Sequence, residues 1–118
     1  DFDKIFAFLT TELYESMLNC DKIMKEKEIT FEVPASFYDE SLTKGNVLVS
    51  GVIDLLFVKD DVYTIVDYKT DNVMDLNELK SRYQVQLDLY EIGIRQVMDA
   101  KTIRKFIYSI KLNKYIEV

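Results

Sequence analysis

Two apolar runs, Val47-Leu48-Val49-Ser50-Gly51-Val52-Ile53-Asp54-Leu55-Leu56-Phe57-Val58 and Val62-Tyr63-Thr64-Ile65-Val66-Asp67-Tyr68-Lys69, are parted only by the polar Lys59-Asp60-Asp61. That spacing commits the middle of the chain to a β-hairpin. A turn centred between Asp60 and Asp61 sets Asp54 directly opposite Asp67, and Lys69, two residues on, projects to the same face. Opposed carboxylates on a sheet have Cβ atoms roughly 5 Å apart and repel, and apolar flanks raise the cost of their charge. The compensation has three candidate sources: a divalent cation, a shared proton, or the Lys69 ammonium. A hard cation such as Mg²⁺ takes oxygen ligands and typically uses one or two carboxylates with water and substrate phosphate. The leading reading is therefore a metal site for phosphate chemistry at Asp54, Asp67 and Lys69. It depends on the register, because a loop one residue longer or shorter sends one aspartate to the other face. Asp-Asp is also a poorer two-residue turn than Asn-Gly. The competing reading is a structural ion pair, since an isolated Asp-x-Lys triplet is common and usually solvated.

At 118 residues the chain suits one small domain with a core, too small for a helicase motor, and it contains no Gly-x-x-x-x-Gly-Lys-Ser/Thr phosphate loop. The single cysteine, Cys20, excludes an internal disulfide and a four-cysteine iron-sulfur cluster, and reads as a helix residue of a reducing compartment. No apolar stretch approaches membrane-spanning length and no signal peptide is visible, so the expectation is a soluble, cytoplasmic protein without a membrane partner. The net charge of −6 argues against a free-standing nucleic-acid binder. Its distribution softens that: the acidic excess lies in the first 40 residues, whereas Lys101, Arg104, Lys105, Lys111 and Lys114 form an all-basic segment available to a phosphate backbone.

Elsewhere the apolar periodicity predicts an α/β fold, a mixed or mostly antiparallel sheet flanked by helices. Ile5, Phe6, Leu9, Leu13, Met17 and Ile23 predict one helix from about Phe2 to Met24, in which Cys20 and Asp21 are the candidate position for a break. Glu28 to Val33 reads as a strand and Pro34 to Gly45 as a loop. Asp75 is a candidate N-cap for a long helix striped by Leu76, Leu79, Tyr83, Leu87, Tyr90, Ile94 and Val97, and Gln86 falls inside that stripe. Phe106 to Ile110 and Tyr115 to Val118 alternate as two closing strands.

Three strings in this order, Gly51-Val52-Ile53-Asp54, Val66-Asp67-Tyr68-Lys69-Thr70 and Tyr83-Gln84-Val85-Gln86-Leu87-Asp88-Leu89-Tyr90, resemble the motifs of the RecB-family nucleases within the PD-(D/E)XK superfamily. The likeness is greatest to the C-terminal nuclease domain of AddA-type subunits of bacterial helicase/nucleases and covers nearly the whole chain. It implies a restriction-endonuclease-like core over residues 1–118, a C-terminal part of a larger subunit. It also implies that Asp54, Asp67 and the backbone carbonyl of Tyr68 ligate Mg²⁺ or Mn²⁺. Lys69 would position the attacking water and stabilise charge on the phosphate. Glu28 matches the family's acidic residue ahead of the hairpin, a further ligand to metal or water, and Gln86 the site-facing glutamine of its Gln-x-x-x-Tyr motif. The implied activity is a metal-dependent DNA exonuclease in double-strand break repair and recombination, acting on a single strand delivered by an ATP-dependent helicase motor with an AddB-type second subunit. The alternatives are a catalytically silent DNA-end or partner-binding module and a stand-alone endonuclease of the superfamily. The family's upstream histidine has no counterpart, since the sequence contains no histidine: either its helix precedes these residues or the site lacks a member.

Overall fold

In a computed structural model, residues 12–118 are described. A short helix, α1 (Glu12–Leu18), leads into a long strand, β1 (Lys22–Pro34). A 3-10 turn (Ala35–Phe37) and a loop follow, then β2 (Asn46–Lys59), β3 (Val62–Lys69), α2 (Leu76–Met98), β4 (Thr102–Ser109) and β5 (Lys114–Glu117). The strands form one five-stranded sheet in the order β1-β2-β3-β4-β5. Neighbours are antiparallel except β3 and β4, which run parallel and are joined by α2 as a β-α-β crossover. The α/β expectation therefore holds, with a mixed sheet.

The hairpin has the expected register, Lys59 opposite Val62 through to Leu55 opposite Val66. Asp60 and Asp61 both adopt positive φ, 49° and 64°, as a two-residue type I′ turn demands. Aspartate tolerates this left-handed region better than most residues. The Asp60 N–H also donates to the Asp21 carboxylate, 3.0 Å away. Asp-Asp thus replaces Asn-Gly without a shift of register.

Apolar side chains cover both faces of the sheet. On one, Ile29, Phe31 and Val33 of β1, Ile53 and Leu56 of β2, Ile65 of β3 and Ile107 of β4 pack with Leu79, Leu87, Tyr90 and Ile94 of α2. On the other, Leu55, Phe57, Val66, Phe106 and Tyr108 meet Leu13 of α1. Strict alternation cannot place Ile53 and Leu56, three residues apart, on one face. The slip lies between Ile53 and Leu55. Its counterpart in β1 is Glu26, held at φ 49°, where pairing passes from Lys25–Leu55 to Lys27–Ile53 and omits Glu26 opposite Asp54. A left-handed non-glycine residue costs on the order of 1–2 kcal/mol, a cost spent at the point where β2 parts from β3.

Helix α2 begins as expected: the Glu78 N–H donates to the Asp75 carboxylate at 3.0 Å, and Glu78 reaches back to accept from the Met74 N–H. A Cβ at Gly93 would lie 2.7 Å from the Phe31 ring, so the glycine is what lets α2 approach β1. Three sequence expectations are corrected. Ile23 and Met24 belong to β1 rather than to a helix, because the chain turns at Cys20 and Asp21 and then pairs with β2; residues 1–11 lie outside the described residues. Val97 leaves the buried stripe and is half exposed near the helix end. β4 begins four residues earlier than expected, at Thr102. No described helix is long and apolar enough to cross a membrane.

Candidate active site

Asp67 and Lys69 alternate with Ile65 along β3, so they project to the α2 face. Asp67 is 4 % exposed. Lys69 Nζ lies 2.8 Å from Asp67 Oδ2 and donates a 2.8 Å hydrogen bond to Gln86 Oε1 of α2. The helix stripe thus brings Gln86 to the strand end, as expected of a site-facing residue. Asp54 sits at the fork between β2 and β3, where Asp54 Oδ2 accepts from the Tyr68 N–H at 2.7 Å.

The Asp67 carboxyl is perturbed by its surroundings. Burial is the main cause that raises Asp67 from 3.8 to about 6; Lys69 opposes the shift, and a hydrogen-bonding approach by the Asp54 carboxyl adds to it. The Tyr68 hydroxyl is pushed up to about 12 by burial, by the Asp54 charge and by Tyr108. Asp67 Oδ2, though close to the Lys69 ammonium, has no hydrogen bond of good alignment. A buried carboxylate oxygen left in this state has capacity for another positive partner.

A strand residue directs its N–H and C=O toward the same neighbour. Since the Tyr68 N–H meets Asp54, the Tyr68 carbonyl also faces the β2–β3 fork, while the Lys69 carbonyl turns the other way to accept from Ile110 N–H. The two carboxyl groups therefore approach each other at this fork. Among the described residues no group of three or more His, Cys, Asp or Glu side chains is placed to hold a metal. The donor set is all oxygen and incomplete, which fits Mg²⁺ or Mn²⁺ retaining several waters and excludes a soft thiolate-bound metal.

Glu28 is not brought to this group. It alternates with Ile29 and Phe31, whose side chains enter the α2 core, so it emerges exposed on the opposite face. The basic segment is also less available than its sequence suggests. Arg104 is paired with Glu117, and Lys105 with Asp88 and Glu91 of α2. Lys101, Lys111 and Lys114 are its exposed remainder.

Sequence reasoning assigned no site role to two residues beside Lys69. The Tyr83 ring lies under the ammonium, 3.9 Å from its centroid, and the Tyr83 hydroxyl donates to Asp71 Oδ2 at 2.8 Å. The available signal was spacing: Tyr83 is three residues before Gln86 on a helix, hence on the same face, and Asp71 is two residues beyond Lys69.

Residues 7–117 match the family described as the PD-(D/E)XK nuclease superfamily. The chain is 37% identical over 122 residues to the A subunit of the ATP-dependent helicase/nuclease of Carboxydothermus hydrogenoformans, with 100% of this chain covered. It is 32% identical over 120 residues to the protein of the same name from Clostridium botulinum strain Hall, with 98% covered. The chain spans about a tenth of the length of these relatives, 10% and 9% respectively.

Proposed function

Because the chain belongs to the PD-(D/E)XK nuclease superfamily, we propose that it is a metal-dependent DNA exonuclease domain, the C-terminal part of a larger helicase/nuclease subunit. Its substrate is a single DNA strand delivered by an ATP-driven motor during double-strand break repair and recombination in the cytoplasm. Its protein partner is a second subunit of AddB type. One observation carries the reading: a buried aspartate and a second carboxylate meet beside a lysine held 2.8 Å from the first, on a strand whose residues match nuclease motifs. The likeness to subunits named helicase/nuclease supports the motor and the partner.

In this reading Asp54, Asp67 and the Tyr68 carbonyl hold Mg²⁺ or Mn²⁺. The bound cation supplies Lewis-acid polarisation of the phosphate and a water of lowered pKa. Lys69 stabilises charge that develops on the phosphate oxygens, the role suited to a compact ammonium. Gln86 accepts from Lys69 and keeps it directed into the fork. Burial of Asp67 keeps the pair out of bulk water, which strengthens each of these interactions.

The test is Lys69→Ala in the assembled helicase/nuclease. Cleavage is expected to fall by at least a hundredfold while calorimetric Mn²⁺ binding and ATP-driven unwinding persist, because a group acting on transition-state charge affects the rate far more than ground-state binding. Lys69→Arg should restore little, since a planar guanidinium does not reproduce the ammonium geometry. Parental cleavage by Lys69→Ala would reduce Lys69 to an ion-pair partner of Asp67. An unsubstituted complex that never cuts DNA with Mg²⁺ or Mn²⁺ would establish a silent module instead.

A further inference from the structure

The Lys69 ammonium has three fixed neighbours: the Asp67 carboxylate, the Gln86 side-chain oxygen and the face of the Tyr83 ring. Only the first carries a full charge, and in the proposed reaction Asp67 is shared with a cation. A divalent ion on that carboxylate would offset its negative charge and repel the ammonium, so this hold would weaken when the site is loaded. The other two neighbours are neutral and belong to α2. The ring face attracts an ammonium electrostatically, most strongly where water is scarce, and the Lys69 side chain is only 15% exposed.

The ring is itself held. The Tyr83 hydroxyl donates to Asp71, whose carboxylate also accepts from Arg82, which in turn pairs with Glu78. Asp71 lies two residues beyond Lys69 in the chain, so the bond closes a short circuit from the end of β3 to the helix and back. The Tyr83 ring, like any tyrosine, is neutral at physiological pH, and the Asp71 bond raises its pKa further. The Tyr83 ring also packs against the hydrophobic core, but its hydroxyl bond to Asp71 is not needed to cap α2, which Asp75 already does.

We propose that Tyr83, with its ring orientation set by Asp71, is the positioning residue that keeps the Lys69 ammonium in the site once Asp67 is engaged by metal. This rests on the reading of Lys69 as the residue that acts on phosphate. A cation–π contact in a partly dry site is worth roughly a tenfold change in rate.

Three variants test it, each first checked for folding by circular dichroism. In the 118-residue chain, the ε-methylene protons of Lys69 should resonate upfield of those of the other lysines because of the Tyr83 ring current, with or without Mg²⁺. Tyr83→Leu should abolish that shift, Tyr83→Phe should retain it in part, and Asp71→Ala should diminish it. In the assembled nuclease, single-turnover cleavage should fall roughly tenfold in Tyr83→Leu, with substrate affinity little changed, and recover only in part in Tyr83→Phe, which keeps the ring but loses the Asp71 bond. Should Tyr83→Leu fail to fold, Asp71→Ala carries the same test, since Asp71 lies at the surface end of the contact. Lys69 protons without an upfield shift in the unsubstituted chain would overturn the contact. A lost shift with parental cleavage in a folded variant would overturn the positioning role and leave the nuclease reading intact. Parental cleavage by Lys69→Ala would instead remove the premise for both.

Discussion

Asp67 titrates in the opposite sense to most structural aspartates. Its carboxyl is raised from 3.8 to about 6, chiefly by burial, so the native state holds a proton more tightly than the unfolded chain between these values. The stabilising contribution is complete below pH 4 and is lost as pH rises through 6. By pH 7 the buried charge destabilises the metal-free protein. Asp67→Asn, which resembles the protonated form, should therefore be more stable than the parent at pH 7 and no more stable at pH 4, as read by urea denaturation. Mg²⁺ should stabilise the parent, because it binds only the folded pair, and leave the variant unchanged. Equal parent and variant stability at pH 7 would show that the carboxylate is well hydrated, and the case for a strained metal pocket would fall. Calorimetry on Asp54→Ala supplies the second half: Mn²⁺ binding should vanish there too.

At the scale of elements, the site depends on two placements, the fork between β2 and β3 and the close docking of α2. Gly93 controls the second. Its missing side chain leaves room for the Phe31 ring and Ile29, each within 3 Å of where a Cβ would stand. Gly93→Ala has an intrinsic helix-propensity gain of up to about 1 kcal/mol, yet should destabilise by about 1–3 kcal/mol because overpacking forces α2 away from β1. The same displacement should weaken the Gln86–Lys69 bond. A Gly93→Ala protein as stable as the parent would show that the interface yields easily and that α2 is not fixed by this contact. The helix was legible in the sequence because its cap, stripe and length are local signals. Its closeness to β1 was not, because Gly93 gains meaning only from Phe31, far away in the chain.

For the molecule as a whole, charge limits how it meets DNA. The net charge is −6, and two of the five cations in the basic segment are already paired with acidic side chains. Counterion release needs several free cations in contact with phosphates. The isolated chain should therefore bind single-stranded DNA more weakly than about 1 µM near 0.15 M salt, with a shallow salt dependence. Fluorescence anisotropy across a salt series measures both. Sub-micromolar binding by this chain alone would remove the need for delivery by a motor. The basic run from Lys101 to Lys114 overstates the unpaired charge, because sequence shows how many charges there are but not which are neutralised across a fold.

The sequence by itself determined the hairpin register and the long capped helix, because each follows from short-range rules: alternation, turn chemistry and helical spacing; the β2–β3 pairing ends at Leu55 and Val66, one step short of Asp54 and Asp67. Even the unusual Asp-Asp turn was consistent with that register, since both residues tolerate positive φ. Only the tertiary structure decided the parallel pairing of β3 with β4, the slip at Glu26 and Asp54, the exposure of Glu28 on the wrong face, and the closure of Tyr83 and Asp71 around Lys69. These depend on which distant segments share a face, and alternation read along one strand cannot reveal a backbone break that reverses the faces. Glu26 is the clearest case: a single left-handed residue opposite Asp54 marks the step at which the alternation of β1 and β2 changes face.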